Sequence, residues 1–122
     1  MDIALWVGQG VLAVVFALSG LVKVTQSKER LLATGQTGVR DVPLIGIRAI
    51  AVCELLAAAG LILPWATGTA RALTPVAALG LAAIMVGAGV IHARLGEPRN
   101  VAINIVLLLI CLILAVARFN GV

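Results

Sequence analysis

Four apolar runs, each long enough to cross a bilayer, dominate this sequence: residues 3–24, 42–63, 75–93 and 100–117. A helical crossing takes about 20 residues at about 1.5 Å each. Hydrocarbon offers no partner for backbone amides and carbonyls, so each run is expected to be a helix. The short connections make successive helices antiparallel. The expected fold class is an all-α integral membrane protein, a four-transmembrane-helix antiparallel bundle, as one domain over residues 1–122. Hydrophobic residues make up 62% of the chain and charged ones 11%, against about 45–50% and about 25% in soluble domains, which excludes a soluble fold.

The first run is read as an uncleaved helix. Its short leader offers Asp2 and no Lys or Arg, and its apolar stretch exceeds the roughly 7–15 residues of a signal core. The net charge of +4 does not point to nucleic acid, because no basic run is interleaved with aromatic residues. Cys53 and Cys111 sit in separate spans without a C-x-x-C pair and are expected to be small buried apolar residues. One histidine and two methionines supply neither a metal cluster nor a pair of haem ligands. No covalent cofactor is expected, and a quinone or lipid would be held non-covalently.

The exception within the apolar runs is Glu54, well inside the second. A carboxylate in hydrocarbon must be paired, protonated or turned toward a bundle interior, and is a functional candidate for that reason. Arg48 precedes it by six residues, about 9 Å along a helix and about 120° around it. The arginine therefore reaches toward the near interface, and Glu54 needs a partner from another helix, a water-filled cavity or a proton. Ala49, Cys53 and Ala57 form a ridge of small residues on the same helix. Ala78 with Ala82, and Ala83 with Gly87, repeat that spacing in the third run, and such ridges let helices approach closely.

Capping signals set the expected ends. Ser27 is the expected N-cap of a short surface helix, and Asp41 that of the second span, with Pro43 in its first turn. Pro64 and Trp65 are expected to close that span, and Thr74 and Pro75 to open the third as N-cap and first residue. Ser19 and Lys23 share a face of the first helix, and Lys23 can either snorkel or turn inward. His92 lies near the exit of the third helix, and Asn100 and Asn104 share a face of the fourth.

Seven of the nine basic residues, Lys23, Lys28, Arg30, Arg40, Arg48, Arg94 and Arg99, flank the first and third connections, with Arg71 and Arg118 opposite. The positive-inside rule then places these two loops in the cytoplasm and both termini outside a plasma membrane. This arrangement gathers Ser19, Lys23, Arg48, Glu54, His92, Asn100 and Asn104 into one half of the bundle. Two readings fit them: a pocket floored by Glu54 for the headgroup of a quinone or another amphiphile or for a proton path, or a satisfied polar network that fixes helix packing.

Several of these residues carry a resemblance. Phe16-Ala-Leu-Ser-Gly-Leu-Val-Lys23, Glu54-Leu-Leu-Ala-Ala-Ala-Gly-Leu-Ile-Leu-Pro64, Met85 through His92 to Glu97, and then Asn104, in that order and spacing, resemble the DoxX-like family of small membrane proteins. The resemblance implies a four-helix integral membrane protein. It also brings an association with quinone-linked chemistry, since the family takes its name from a subunit of an archaeal thiosulfate:quinone oxidoreductase. Other members are associated with a membrane oxidoreductase assembly in mycobacteria, and distant animal relatives act in receptor assembly.

Three functions are carried forward. The first is a non-catalytic accessory subunit of a membrane redox assembly, with membrane oxidoreductase subunits as partners. The second is a freestanding binder, enzyme or transporter for a small amphiphile, using Glu54 and His92 as a proton-handling pair. The third is an assembly factor acting through the small-residue ridges, which also leave room for a homo-oligomer.

Overall fold

The computed structural model describes residues 2–121. Among them are four helices long and apolar enough to cross a membrane: α1 (Asp2–Thr25), α3 (Leu44–Thr67), α4 (Leu73–Arg94) and α5 (Pro98–Phe119). Between α1 and α3 lie the short helix α2 (Lys28–Ala33) and a 3-10 turn, Thr37–Val39. The four long helices alternate in direction. α1 packs on α3, α3 on α4 and α4 on α5, while α1 and α5 meet over a smaller seam that closes the bundle. One end therefore carries the α1–α3 and α4–α5 connections, and the other the start of α1, the end of α5 and the α3–α4 turn.

Inward positions follow the 3.6-residue repeat. In α1 they are Leu5, Gln9, Leu12, Phe16 and Gly20, and in α3 Ile47, Ala51, Glu54, Ala58 and Leu61. With Leu81 of α4 and Cys111 and Leu114 of α5, Leu12, Phe16 and Leu61 form the apolar middle of the bundle. Gly20 permits the α1–α3 approach: a Cβ there would lie 2.9 Å from the Ala51 carbonyl oxygen and 2.7 Å from Leu55 Cγ.

The inward row of α3 corrects the expected packing ridge. Turning Glu54 inward rotates its neighbour Cys53 by about 100°, so Cys53 and Ala49 are exposed on the outer surface, and Ala57 alone packs partly against the core. On α4 the buried pair is Ala78 and Ala82, whereas Ala83 and Gly87 are exposed.

Helix ends also differ from the capping signals. Ser27 caps α2 as expected, its side chain accepting from the Arg30 amide at 3.2 Å. Asp41 does not cap α3, whose N-cap position is Pro43 without a side-chain bond. Pro64 does not end α3, which continues to Thr67 before Gly68 closes it at φ 70°. A proline inside a helix has no N–H for the carbonyl four residues back, here Gly60. Thr74 supplies the missing donor: α4 already begins at Leu73, and the Thr74 hydroxyl donates to the Gly60 carbonyl at 2.9 Å.

The α1–α3 connection is pinned to the bundle by Leu31, Val39 and Ile47, which form a small buried cluster. Burying a leucine such as Leu31 contributes about 1.5–3 kcal/mol. Lys28 Nζ also donates to the Val42 carbonyl at 2.8 Å. Thr74→Val leaves the Gly60 carbonyl without its donor. It is expected to lower stability in detergent unfolding by about 1–2 kcal/mol, while Thr74→Ser stays near the parent.

Candidate functional site

Glu54 sits at the α1–α3 interface, its side chain 1% exposed. Lys23 Nζ donates to Glu54 Oε1 at 2.8 Å and to Ser19 Oγ at 2.9 Å, and the Ser19 hydroxyl donates to Glu54 Oε2 at 3.1 Å. The spacing of Ser19 and Lys23 along α1 sets both on the face that Gly20 brings against α3. Lys23 turns inward rather than snorkelling, and its side chain is 14% exposed. Arg48 points away from Glu54. Its Nη1 donates to the backbone carbonyls of Lys23 and, at 2.9 Å, Gln26, serving carbonyls at the end of α1 that lack helical partners.

His92 belongs to a different cluster. Its Nδ1 lies 2.7 Å from Glu97 Oε1, an oxygen that also accepts from the Thr37 hydroxyl at 2.8 Å and, more weakly, from Asn100 Nδ2 at 3.4 Å. These bonds, that of His92 foremost and then that of Thr37, hold the Glu97 carboxyl below its ordinary range. The cluster ties the 3-10 turn to the α4–α5 connection. Asn104 stands apart, buried where α5 passes Gly89, and its Nδ2 has no partner among the described residues. The expected Glu54–His92 pair is not formed: each group is engaged by other residues.

A cavity of about 250 Å³ opens between α3 and α4 beneath the α1–α3 connection. Lys23, Gln36, Gly38 and His92 are among the residues that line it, together with apolar ones such as Ile47, Ile84 and Met85. Gly87 also lines it and is exposed on the outer surface of α4, so the cavity reaches the face that lipid would cover. Of the expected pocket residues, Lys23 and His92 line this space. Ser19, Arg48, Glu54, Asn100 and Asn104 do not. The expectation of a pocket floored by Glu54 is thereby corrected, for Glu54 stands behind Lys23 and fixes it in place. Lys23 has three N–H donors and uses two on Ser19 and Glu54, so a third remains for a ligand oxygen. An ammonium and an imidazole in the lining of an otherwise apolar space are suited to the oxygens of a small ring headgroup.

Sequence reasoning missed the polar layer at the other end. Gln9 is fully buried, donates through Nε2 to the Leu61 carbonyl at 2.6 Å and accepts from Arg118 Nε at 2.8 Å. Arg118 also donates to Asp2 Oδ1 at 2.8 Å, and its guanidinium lies over the rings of Trp65 and Trp6, 4.4 and 5.7 Å from their centroids. One signal was available: Gln9 is a lone amide in the first apolar run, in register with Leu5, Leu12 and Phe16.

The buried Glu54–Lys23 pair gives a thermodynamic cycle. Lys23→Met alone leaves an uncompensated carboxylate and is expected to destabilise the bundle by about 3–5 kcal/mol, whereas Lys23→Met with Glu54→Met recovers most of that loss. Unfolding both variants in the same micelle measures the difference.

No curated protein and no solved structure shows significant similarity to this chain. A family model does match, that of the DoxX-like family, over residues 7–114, nearly the whole length. With four membrane-spanning helices packed as a bundle, this multi-pass membrane protein belongs to the DoxX-like family.

Proposed function

We propose that the chain is an accessory subunit of a quinone-linked membrane redox assembly, and that it holds the ring headgroup of a quinone-type amphiphile in the α3–α4 cavity. The observation that carries this reading is the cavity itself: a mainly apolar space whose lining includes Lys23 and His92 and also Gly87 of the exposed face of α4. Headgroup oxygens accept from the free N–H of Lys23, the ring packs against Ile84 and Met85, and an isoprenoid tail leaves past Gly87 into lipid. The chain's part is binding and positioning, and electrons pass through partner subunits.

Two further features support this reading. The exposed small residues Ala49 and Cys53 on α3 let helices of a partner or of a second copy come close. The basic residues clustered at the loop end support a cytoplasmic side for it in a plasma membrane. A freestanding enzyme built on Glu54 and His92 has less support, because these groups are held in separate clusters.

The test is photolabelling in native membranes with an azide-bearing quinone analogue, followed by isolation of the protein with its associated subunits. The expected result is label within residues 36–50 and 84–92, suppressed by excess decylubiquinone, on protein that co-purifies with oxidoreductase subunits. Label that excess quinone does not displace, or protein recovered without redox partners, would overturn the respective half of the proposal.

A further inference from the structure

His92 is the chain's one histidine, and Glu97 engages one of its two ring nitrogens. Nδ1 lies 2.7 Å from Glu97 Oε1, which also receives the Thr37 hydroxyl at 2.8 Å. A carboxylate only accepts hydrogen bonds, and these donors keep the Glu97 carboxyl below its ordinary range. The hydrogen between the two groups is therefore on Nδ1. A neutral imidazole protonated at Nδ1 carries its lone pair on Nε2 and is an acceptor there.

The placement of Nε2 is equally specific. The Cε1–Nε2 edge lies against Gly38, where an added Cβ would be 3.4 Å from both atoms. His92 and Gly38 both line the α3–α4 cavity, and among the described residues Nε2 makes no hydrogen bond. With a neutral His92, the cavity presents an acceptor at Nε2 and a cationic donor at Lys23. A ring carbonyl can use only the second, whereas the hydroxyls of a hydroquinone ring, which donate and accept, have a partner in either.

We infer that the cavity selects a hydroxyl-bearing ring headgroup, the hydroquinone form over the quinone, with His92 Nε2 accepting the hydroxyl hydrogen and Glu97 acting as the positioning residue behind it. This rests on the quinone-type reading above and adds the form of the ligand. When the hydrogen transfers fully, the headgroup O–H bond breaks and an Nε2–H bond forms. The aryloxide is left to the Lys23 ammonium and the imidazolium to the Glu97 carboxylate, and no electron moves in that step. Thr37 couples the arrangement to the connection above the cavity, since its hydroxyl holds the Glu97 oxygen that orients His92.

A single histidine makes the test direct. In lipid nanodiscs under anaerobic conditions, the ¹⁵N-histidine spectrum of the wild-type protein is expected to show a protonated Nδ1 and an unprotonated Nε2. Decylubiquinol is expected to shift the Nε2 resonance and to bind about tenfold more tightly than decylubiquinone, the worth of about one hydrogen bond. Glu97→Gln is expected to lose the tautomer preference and to bring the two affinities together. A wild-type spectrum with the proton on Nε2 would overturn the inference whatever binds. Equal affinity for the two forms would overturn it while sparing the quinone-type reading, and absence of binding by either would overturn both.

Discussion

An ion pair inside hydrocarbon is the constraint on which the rest of this bundle depends. Glu54 cannot stand alone in a membrane, so α3 must turn it toward a donor, and α1 offers Lys23 and Ser19 on one face. That requirement fixes the rotation of α3. Once Glu54 faces α1, Ile47, Ala51, Ala58 and Leu61 share its row, and Ala49 and Cys53 are left on the outside. The same pairing draws the Lys23 ammonium inward to the edge of the α3–α4 cavity. A buried charge, a helix rotation and the polar edge of a cavity are one arrangement.

The opposite half answers the same need with neutral and shielded groups. Pro64 removes an amide from α3, and Thr74 returns a donor to the carbonyl left behind. Gln9 bridges Leu61 and Arg118, joining α1, α3 and α5 where α1 and α5 otherwise meet only narrowly. Between the two polar layers lies the purely apolar middle of Leu12, Phe16, Leu61, Leu81 and Leu114. The polar ends specify which helices meet, and the apolar middle fills the space between them. A fold of this kind can serve unrelated activities, so function is argued from the cavity and its two nitrogens rather than from the bundle.

Length and hydropathy made the four helices and their antiparallel order legible, because a bilayer admits few other solutions for such runs. Glu54 was legible as an exception, and the direction of Arg48 followed from helix geometry. What escaped was tertiary. No local rule tells that Thr74 serves a carbonyl freed by a proline ten residues earlier rather than its own helix start. The ridge at Ala49, Cys53 and Ala57 was visible as spacing, yet spacing does not say which face turns inward, and the charge at Glu54 decided that. His92 and Glu97 are five residues apart across a turn. Their pairing depends on Gly96 at φ 71° reversing the chain there, and on Thr37 arriving from another connection. Gln9 and Arg118 stand at opposite ends of the sequence, and only the closure of α1 on α5 brings them together.

The central claim is that Lys23 turns into the bundle to meet Glu54 when the protein is in a bilayer. The chain has three glutamates, Glu29, Glu54 and Glu97, and two lysines, Lys23 and Lys28; among the described residues the one lysine–glutamate ion pair is Lys23–Glu54. Solid-state NMR on lipid-embedded protein labelled with ¹³Cδ-glutamate and ¹⁵Nζ-lysine measures that pairing directly. The expected result is a strong dipolar coupling that disappears in Lys23→Met. A wild-type sample without such coupling, its Lys23 ammonium in water at the interface, would contradict the account.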